Sequence, residues 1–147
     1  MATNQKYIML ADDDADDRML FEEALREICS DSKLVTTIDG IDLLNILNET
    51  VPPVPDVIFL DINMPRLNGM ECLGKIRGDL KLKSIPVIVY STSNNQENID
   101  LAYIAGANYY ARKPSSFGEL KSVIQRAFKI LAQPFPSSVA KKDFMIN

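Results

Sequence analysis

Five of the six residues from Asp12 to Asp17 are aspartates, set directly after the apolar run Tyr7–Leu10. Carboxylates this close repel one another and resist ionising together unless solvent or a cation separates them. Part of the cluster suits a helix start, where Asp16 and Asp17 would cap free amides and oppose the macrodipole. Asp12 and Asp13, at the end of the apolar run, need another account. A calcium loop would use Asp12, Asp14, Asp16 and Glu23, but Asp17 stands where its sharp turn demands glycine, and the preceding segment reads as strand. A magnesium site fits better. That ion takes one or two carboxylates, several waters and a phosphate oxygen, and Asp61, after the apolar run Val57–Leu60, adds a third acid. Beside such an ion a carboxylate can attack phosphorus and form an acyl phosphate. The transferred group then calls for a cation and a hydroxyl donor. Lys113 in "ARKPSS" and Ser91 in "VIVYSTS" offer them. Most lysines are merely solvated and serines commonly end strands, so the specificity lies in the set rather than in any member.

The chain contains no histidine. Ser-His-Asp and Cys-His catalysis, ordinary zinc sites and imidazole acid–base chemistry are therefore absent. Cys29 and Cys72 both fall in segments of helical pattern and read as reduced thiols in a cytosolic protein.

Five short β-rich runs must position these groups. Strands are expected at Tyr7–Leu10, Leu34–Ile38, Val57–Leu60, Val87–Tyr90 and Tyr109–Ala111. Between them, helical spacing gives Met19, Leu20, Ala24 and Ile28 one face, then Leu43, Leu44 and Leu47, then Met70, Leu73 and Ile76, then Ile99, Ala102 and Tyr103. Phe117, Leu120, Ile124, Ala127, Phe128 and Leu131 make the clearest stripe. Strand then helix, repeated five times, predicts an α/β domain with a parallel sheet covered on both faces. Pro52–Pro55 reads as a rigid connection into the third strand, Gly78 falls near the end of the third helix, and Pro86 opens the fourth strand. Ligands of such sheets bind beyond the carboxyl ends of the strands, where Asp12, Asp13, Asp61, Ser91 and Lys113 all fall. With 147 residues, 46% hydrophobic and 24% charged, the chain suits one domain with a real core. A net charge of −4 argues against direct nucleic-acid binding. No signal peptide or bilayer-spanning run is expected, which fits a cytoplasmic protein.

The acid pair Asp12-Asp13, the "LDINMP" around Asp61, the hydroxyl at Ser91 and the Lys113-Pro114 dipeptide together resemble a response-regulator receiver domain of bacterial two-component signalling. The resemblance runs from Lys6 to about Leu131. It implies a doubly wound, flavodoxin-like sheet in strand order 2-1-3-4-5 flanked by five helices. It also implies a receiver domain over residues 1–132 and an extension over 133–147 with no separate output domain. Asp61 would be the phosphoacceptor. Mg2+ or Mn2+ would be bound by Asp13, Asp61 and the backbone carbonyl of Asn63, with Asp12 acting largely through water. Ser91 would bond the phosphoryl group and Lys113 would pair with it. Tyr110 stands at the family's aromatic switch position and would turn inward as Ser91 moves. Pro114 would follow a cis peptide bond, and Asn63 and Ser93 stand at positions that influence phosphoryl lifetime.

Without histidine, the phosphoryl group must come from a sensor histidine kinase, a histidine phosphotransfer protein or a small phosphodonor. Kinase choice is expected around Arg18, Met19 and Glu22. Output would pass through the face of the fourth helix, fifth strand and fifth helix to a downstream protein target, or onward in a relay, with no turnover chemistry. A homodimer through that face is a further expectation, served by Phe135, Val139, Phe144 and Met145 unless these simply pack on the fifth helix. Two rivals stand beside this reading. One is a degenerate receiver acting only as an interaction module. The other is a phosphatase of the haloacid dehalogenase type, whose required Gly and small apolar continuation "DDDADDR" lacks.

Overall fold

The structure, a computed structural model, describes residues 5–49, 54–133 and 139–147. Pro52, Pro53 and Phe135 lie outside the described residues. Five parallel strands, β1 (Tyr7–Ala11), β2 (Lys33–Thr37), β3 (Val57–Leu60), β4 (Val87–Ser91) and β5 (Tyr109–Arg112), form one sheet in the order β2-β1-β3-β4-β5. Five helices connect and cover them: α1 (Ala15–Ile28), α2 (Gly40–Glu49), α3 (Gly69–Gly78), α4 (Gln96–Ala105) and α5 (Phe117–Leu131). Fold class and strand order are those expected. The order reverses beside β1, so the crevice between the carboxyl ends of β1 and β3 is the topological switch point.

The pleat explains why β1, β3 and β4 are apolar throughout. Alternate residues point to opposite faces, and both faces are covered. Met9, Leu60 and Val89 pack with Leu43 of α2, Leu73 of α3 and Ile99 of α4. Ile8, Leu10, Phe59 and Tyr90 pack with Phe21 of α1 and Leu120 and Ile124 of α5. On this second face Phe21, Phe59 and Tyr90 meet edge-to-face, with ring centroids 5.0 to 6.1 Å apart.

The face of α1 differs from that expected. Phe21, Ala24 and Leu25 are buried, while Met19 and Leu20 stand 55% and 41% exposed. Both sets satisfy helical spacing, and Phe59 and Tyr90 on the sheet, which meet the Phe21 ring, select the first.

The closing segment is ordered structure rather than a loose tail. Residues 139–147 return to the sheet, make a short 3-10 turn at Lys141–Asp143, and pair alongside β5 in parallel at Tyr110 and Met145. Among the described residues, no helix is long and apolar enough to cross a membrane.

Candidate functional site

The two ladders beside β1 aim the acids. Asp12 N–H donates to Thr37 O at 3.0 Å and Asp61 N–H to Ala11 O at 3.0 Å, so the hydrogen-bonding pattern runs one residue past the strands and sets both aspartates at the same rim. Asp12 is fully buried and Asp61 nearly so, whereas Asp13 is exposed. Carboxylate oxygens of Asp12, Asp13 and Asp61 all lie within 4.8 Å of one another. Two oxygens on one magnesium ion at 2.0–2.1 Å sit at most about 4.2 Å apart. Only one pair can stand that far apart, since neighbouring ligands of an octahedral ion are about 2.9 Å from each other, so such an ion would draw the three acids together or reach one of them through water. Asp12 Oδ2 is buried, and the charge it faces is the Lys113 ammonium, 2.8 Å away.

Lys113, the residue after β5, supplies positive charge to this acid cluster. Its Nζ lies 2.8 Å from Asp12 Oδ2, 2.8 Å from Asp17 Oδ2 and 2.9 Å from Asp61 Oδ2, with only 8% of the side chain exposed. The charges shape one another. Burial pushes the Asp12 carboxyl up to about 6, against the facing Lys113 ammonium and the Asp14 amide, which both pull it down. Burial also works to discharge Lys113, but its three carboxylates outweigh this and raise its pKa.

Ser91 ends β4 and is fully buried. Its backbone carbonyl accepts from Lys113 N–H at 2.8 Å, which locks the serine beside the lysine. Its Oγ accepts from Ser93 N–H at 3.2 Å and also bonds the Tyr110 side chain. Asn63 has an exposed side chain, and its N–H reaches Asp61 Oδ1 at 3.3 Å. Tyr110 is fully inside, with its hydroxyl donating to Ser93 O at 2.8 Å.

The profile of the response regulator receiver domain family matches residues 8–125. The chain belongs to that family. The receiver domain is 32% identical over 124 residues to response regulator Rcp1 of Synechocystis, covering 82% of this chain and 84% of that protein. It is also similar to the crystal structure of the phosphorylated cyanobacterial phytochrome response regulator RcpA. There the TM-score is 0.81 at 32% identity, over 90% of this chain and 99% of that one. The Mn2+-bound form of Rcp1 matches with a TM-score of 0.76 at 30% identity, again over 90% and 99%.

Two residues of this receiver domain's site escaped the sequence reading. Asp17 reads as a helix-start acid, yet the N-cap is Asp14, whose side chain accepts from Asp16 N–H and Asp17 N–H. Asp17 itself turns to Lys113, 96 residues away. Gly69, first residue of α3, donates its N–H to Ile62 O at 2.9 Å. A Cβ there would lie 2.2 Å from the Asp61 carbonyl oxygen, so only glycine lets α3 begin this close to the acid. The Asn68-Gly69 pair was its only signal. Arg18, expected on a kinase-facing surface, ties α1 to the rim through a 2.8 Å bond from Nη1 to Asp12 O.

Proposed function

We propose that this chain is a phospho-accepting response regulator in which Asp61 receives a phosphoryl group from a partner's phosphohistidine. One observation carries the reading: Lys113 Nζ stands within 2.9 Å of Asp12, Asp17 and Asp61 together, a cation already among the oxygens that would surround a phosphoryl group. In the transfer an Asp61 oxygen forms the new O–P bond as the imidazole N–P bond breaks. The nitrogen keeps the electron pair and the Asp61 carboxylate becomes a mixed anhydride. Asp12, Asp13, Asp61 and the Asn63 carbonyl would hold a divalent ion. When bound, that ion offsets the negative charge that would otherwise keep a phosphate away from these acids. Lys113 exchanges part of its contact with the carboxylates for a phosphoryl oxygen. The Ser91 hydroxyl donates to another. The absence of histidine makes a separate donor necessary, with acetyl phosphate as a small-molecule substitute.

Phosphorylation adds charge beside the Ser91–Ser93 turn and Lys113, and the elements attached to them, α4, β5 and α5, are the surface through which a protein target would read the state. Incubation with acetyl phosphate tests the reading. With magnesium, intact mass should rise by one phosphoryl group in the wild type and not in Asp61→Asn. A wild type that stays unmodified, and shows no magnesium-dependent response to beryllofluoride, would leave a folded receiver that acts only by binding other proteins.

A further inference from the structure

The edge strand of a sheet offers unpaired N–H and C=O groups to any extended chain that reaches it. Here β5 is one of two edge strands, and residues 139–147 lie on it. Tyr110 N–H donates to Phe144 O at 2.9 Å, and Ile146 N–H donates back to Tyr110 O at 2.9 Å. Asn147 pairs with the next open residue of β5: Arg112 N–H donates to its Oδ1, and its Nδ2 donates to Arg112 O, both at 2.9 Å. Side chains complete the seat. Phe144 is buried against Tyr103 of α4, edge-to-face at 5.1 Å between centroids, and against Tyr110 at 6.2 Å. Tyr103 Oη donates to Val139 O at 2.8 Å, Lys141 pairs with Asp100 at 3.0 Å, and Arg126 of α5 donates to Ile146 O at 2.6 Å. The segment thus grips all three elements of the face assigned above to output.

One seat residue also belongs to the phosphoryl site. The ring of Tyr110 is covered by Phe144, and its backbone N–H and C=O are both bonded by the segment. Its hydroxyl donates to Ser93 O, and Ser93 N–H in turn donates to Ser91 Oγ. A docked segment therefore fixes Tyr110 inside. Tyr110 pins the Ser91–Ser93 turn, and the pinned turn holds the Ser91 hydroxyl beside Lys113, where a phosphoryl oxygen would be met.

We infer that the open edge of β5 is a strand-docking site filled by the chain's own residues 139–147, and that its occupancy and phosphorylation of Asp61 favour one another through Tyr110 and Ser93. This rests on Asp61 being the phosphoacceptor. Coupling between two sites is reciprocal: whatever factor docking contributes to phosphoryl binding, phosphoryl binding returns to docking. The surface that a target meets on the activated protein is then the docked segment together with α4 and α5, and not the bare edge of β5.

The test uses the full chain with magnesium and beryllofluoride as the phosphoryl mimic, with affinity measured by titration and amide exchange read at Ile146. In the wild type the mimic should slow Ile146 exchange, and Phe144→Ala should weaken the mimic by about tenfold, within the 5- to 150-fold range usual for coupled sites. Tyr110→Phe keeps the ring under Phe144 but loses the bond to Ser93. It should weaken the mimic comparably while Ile146 stays protected in the free protein. The inference is overturned if both variants bind the mimic as tightly as wild type, or if Ile146 exchange ignores the mimic. Protection of Ile146 that rises with protein concentration would also overturn it, by assigning the docked segment to a second copy. Failure of the wild type to bind the mimic at all would instead remove the phosphoacceptor reading underneath.

Discussion

Lys113 stands where a divalent ion's charge is needed, and that makes it the ion's competitor as well as the phosphoryl group's partner. Replacing it should separate these roles. In Lys113→Met the buried acids lose their ammonium, and stability without metal should fall by about 3–5 kcal/mol, the usual result of removing one partner of a buried ion pair. Magnesium should then bind more tightly than in wild type and return stability, read as a rise in urea midpoint with ion concentration, while the response to acetyl phosphate is lost. Equal magnesium affinity in the two proteins would mean that lysine and ion do not share oxygens. The raised pKa of Asp12 adds a pH dependence whose sign is fixed. Its folded value, about 6, lies above the ordinary value near 3.9. The native state therefore holds the proton more tightly than the unfolded chain does. Metal-free stability should decline as pH rises between about 4 and 6, and divalent-ion affinity should fall as pH drops through about 6, because the proton competes for the same carboxylate. A magnesium affinity flat from pH 7 to about 5 would contradict this.

Elements, not only side chains, are fitted to the site. The first turn of α3 is closed by a capping box between Asn68 and Glu71, and Gly69 sets this helix start against the Asp61 backbone. Gly69→Ala must move either the helix or the acid. We expect a loss of ~1–3 kcal/mol from overpacking, together with slower phosphorylation, whereas Gly74→Ala, with nothing within 4 Å of the added carbon, should leave phosphorylation unchanged. Arg77 at the other end of α3 ties the helix to the connections that lead into β4 and β5. Its guanidinium donates to Gly106 O at 2.8 Å, Ile85 O at 2.9 Å and Asn108 Oδ1 at 2.8 Å, and Asn108 Oδ1 also accepts from Val87 N–H. Burial among these oxygens lowers the Arg77 pKa. Arg77→Met should cost about 2–4 kcal/mol by stranding those acceptors, seen as a lower urea midpoint with little change in acetyl phosphate reactivity. Neither dependence was legible in the sequence. A glycine after asparagine reads as a turn, and an arginine in a last helical turn reads as a dipole partner, because the groups they meet lie far along the chain.

At the scale of the molecule, what could be read was whatever repeats locally. Strands apolar on both faces announced a covered parallel sheet. Polar residues at their carboxyl ends announced the rim, and Asp12, Asp13, Asp61 and Lys113 do meet there. Less legible were choices between equal local patterns. Met19 and Leu20 fit the α1 period as well as Phe21 and Leu25, and only Phe59 and Tyr90 on the sheet decide between them. Residues 139–147 have no helical period and too little alternation to read as a strand, since their pairing is supplied by an edge that forms elsewhere. The same long-range logic holds the central claim, that residues from four strand ends form one phosphoryl-accepting site. Its most direct test is to treat the chain with acetyl phosphate and magnesium, reduce it with borohydride, and map the peptides, since reduction of an aspartyl phosphate leaves homoserine. Homoserine at position 61, formed only with magnesium and lost in Lys113→Met, is the predicted result. Homoserine at Asp12 or Asp13 instead, or at position 61 without need of the ion, would contradict it.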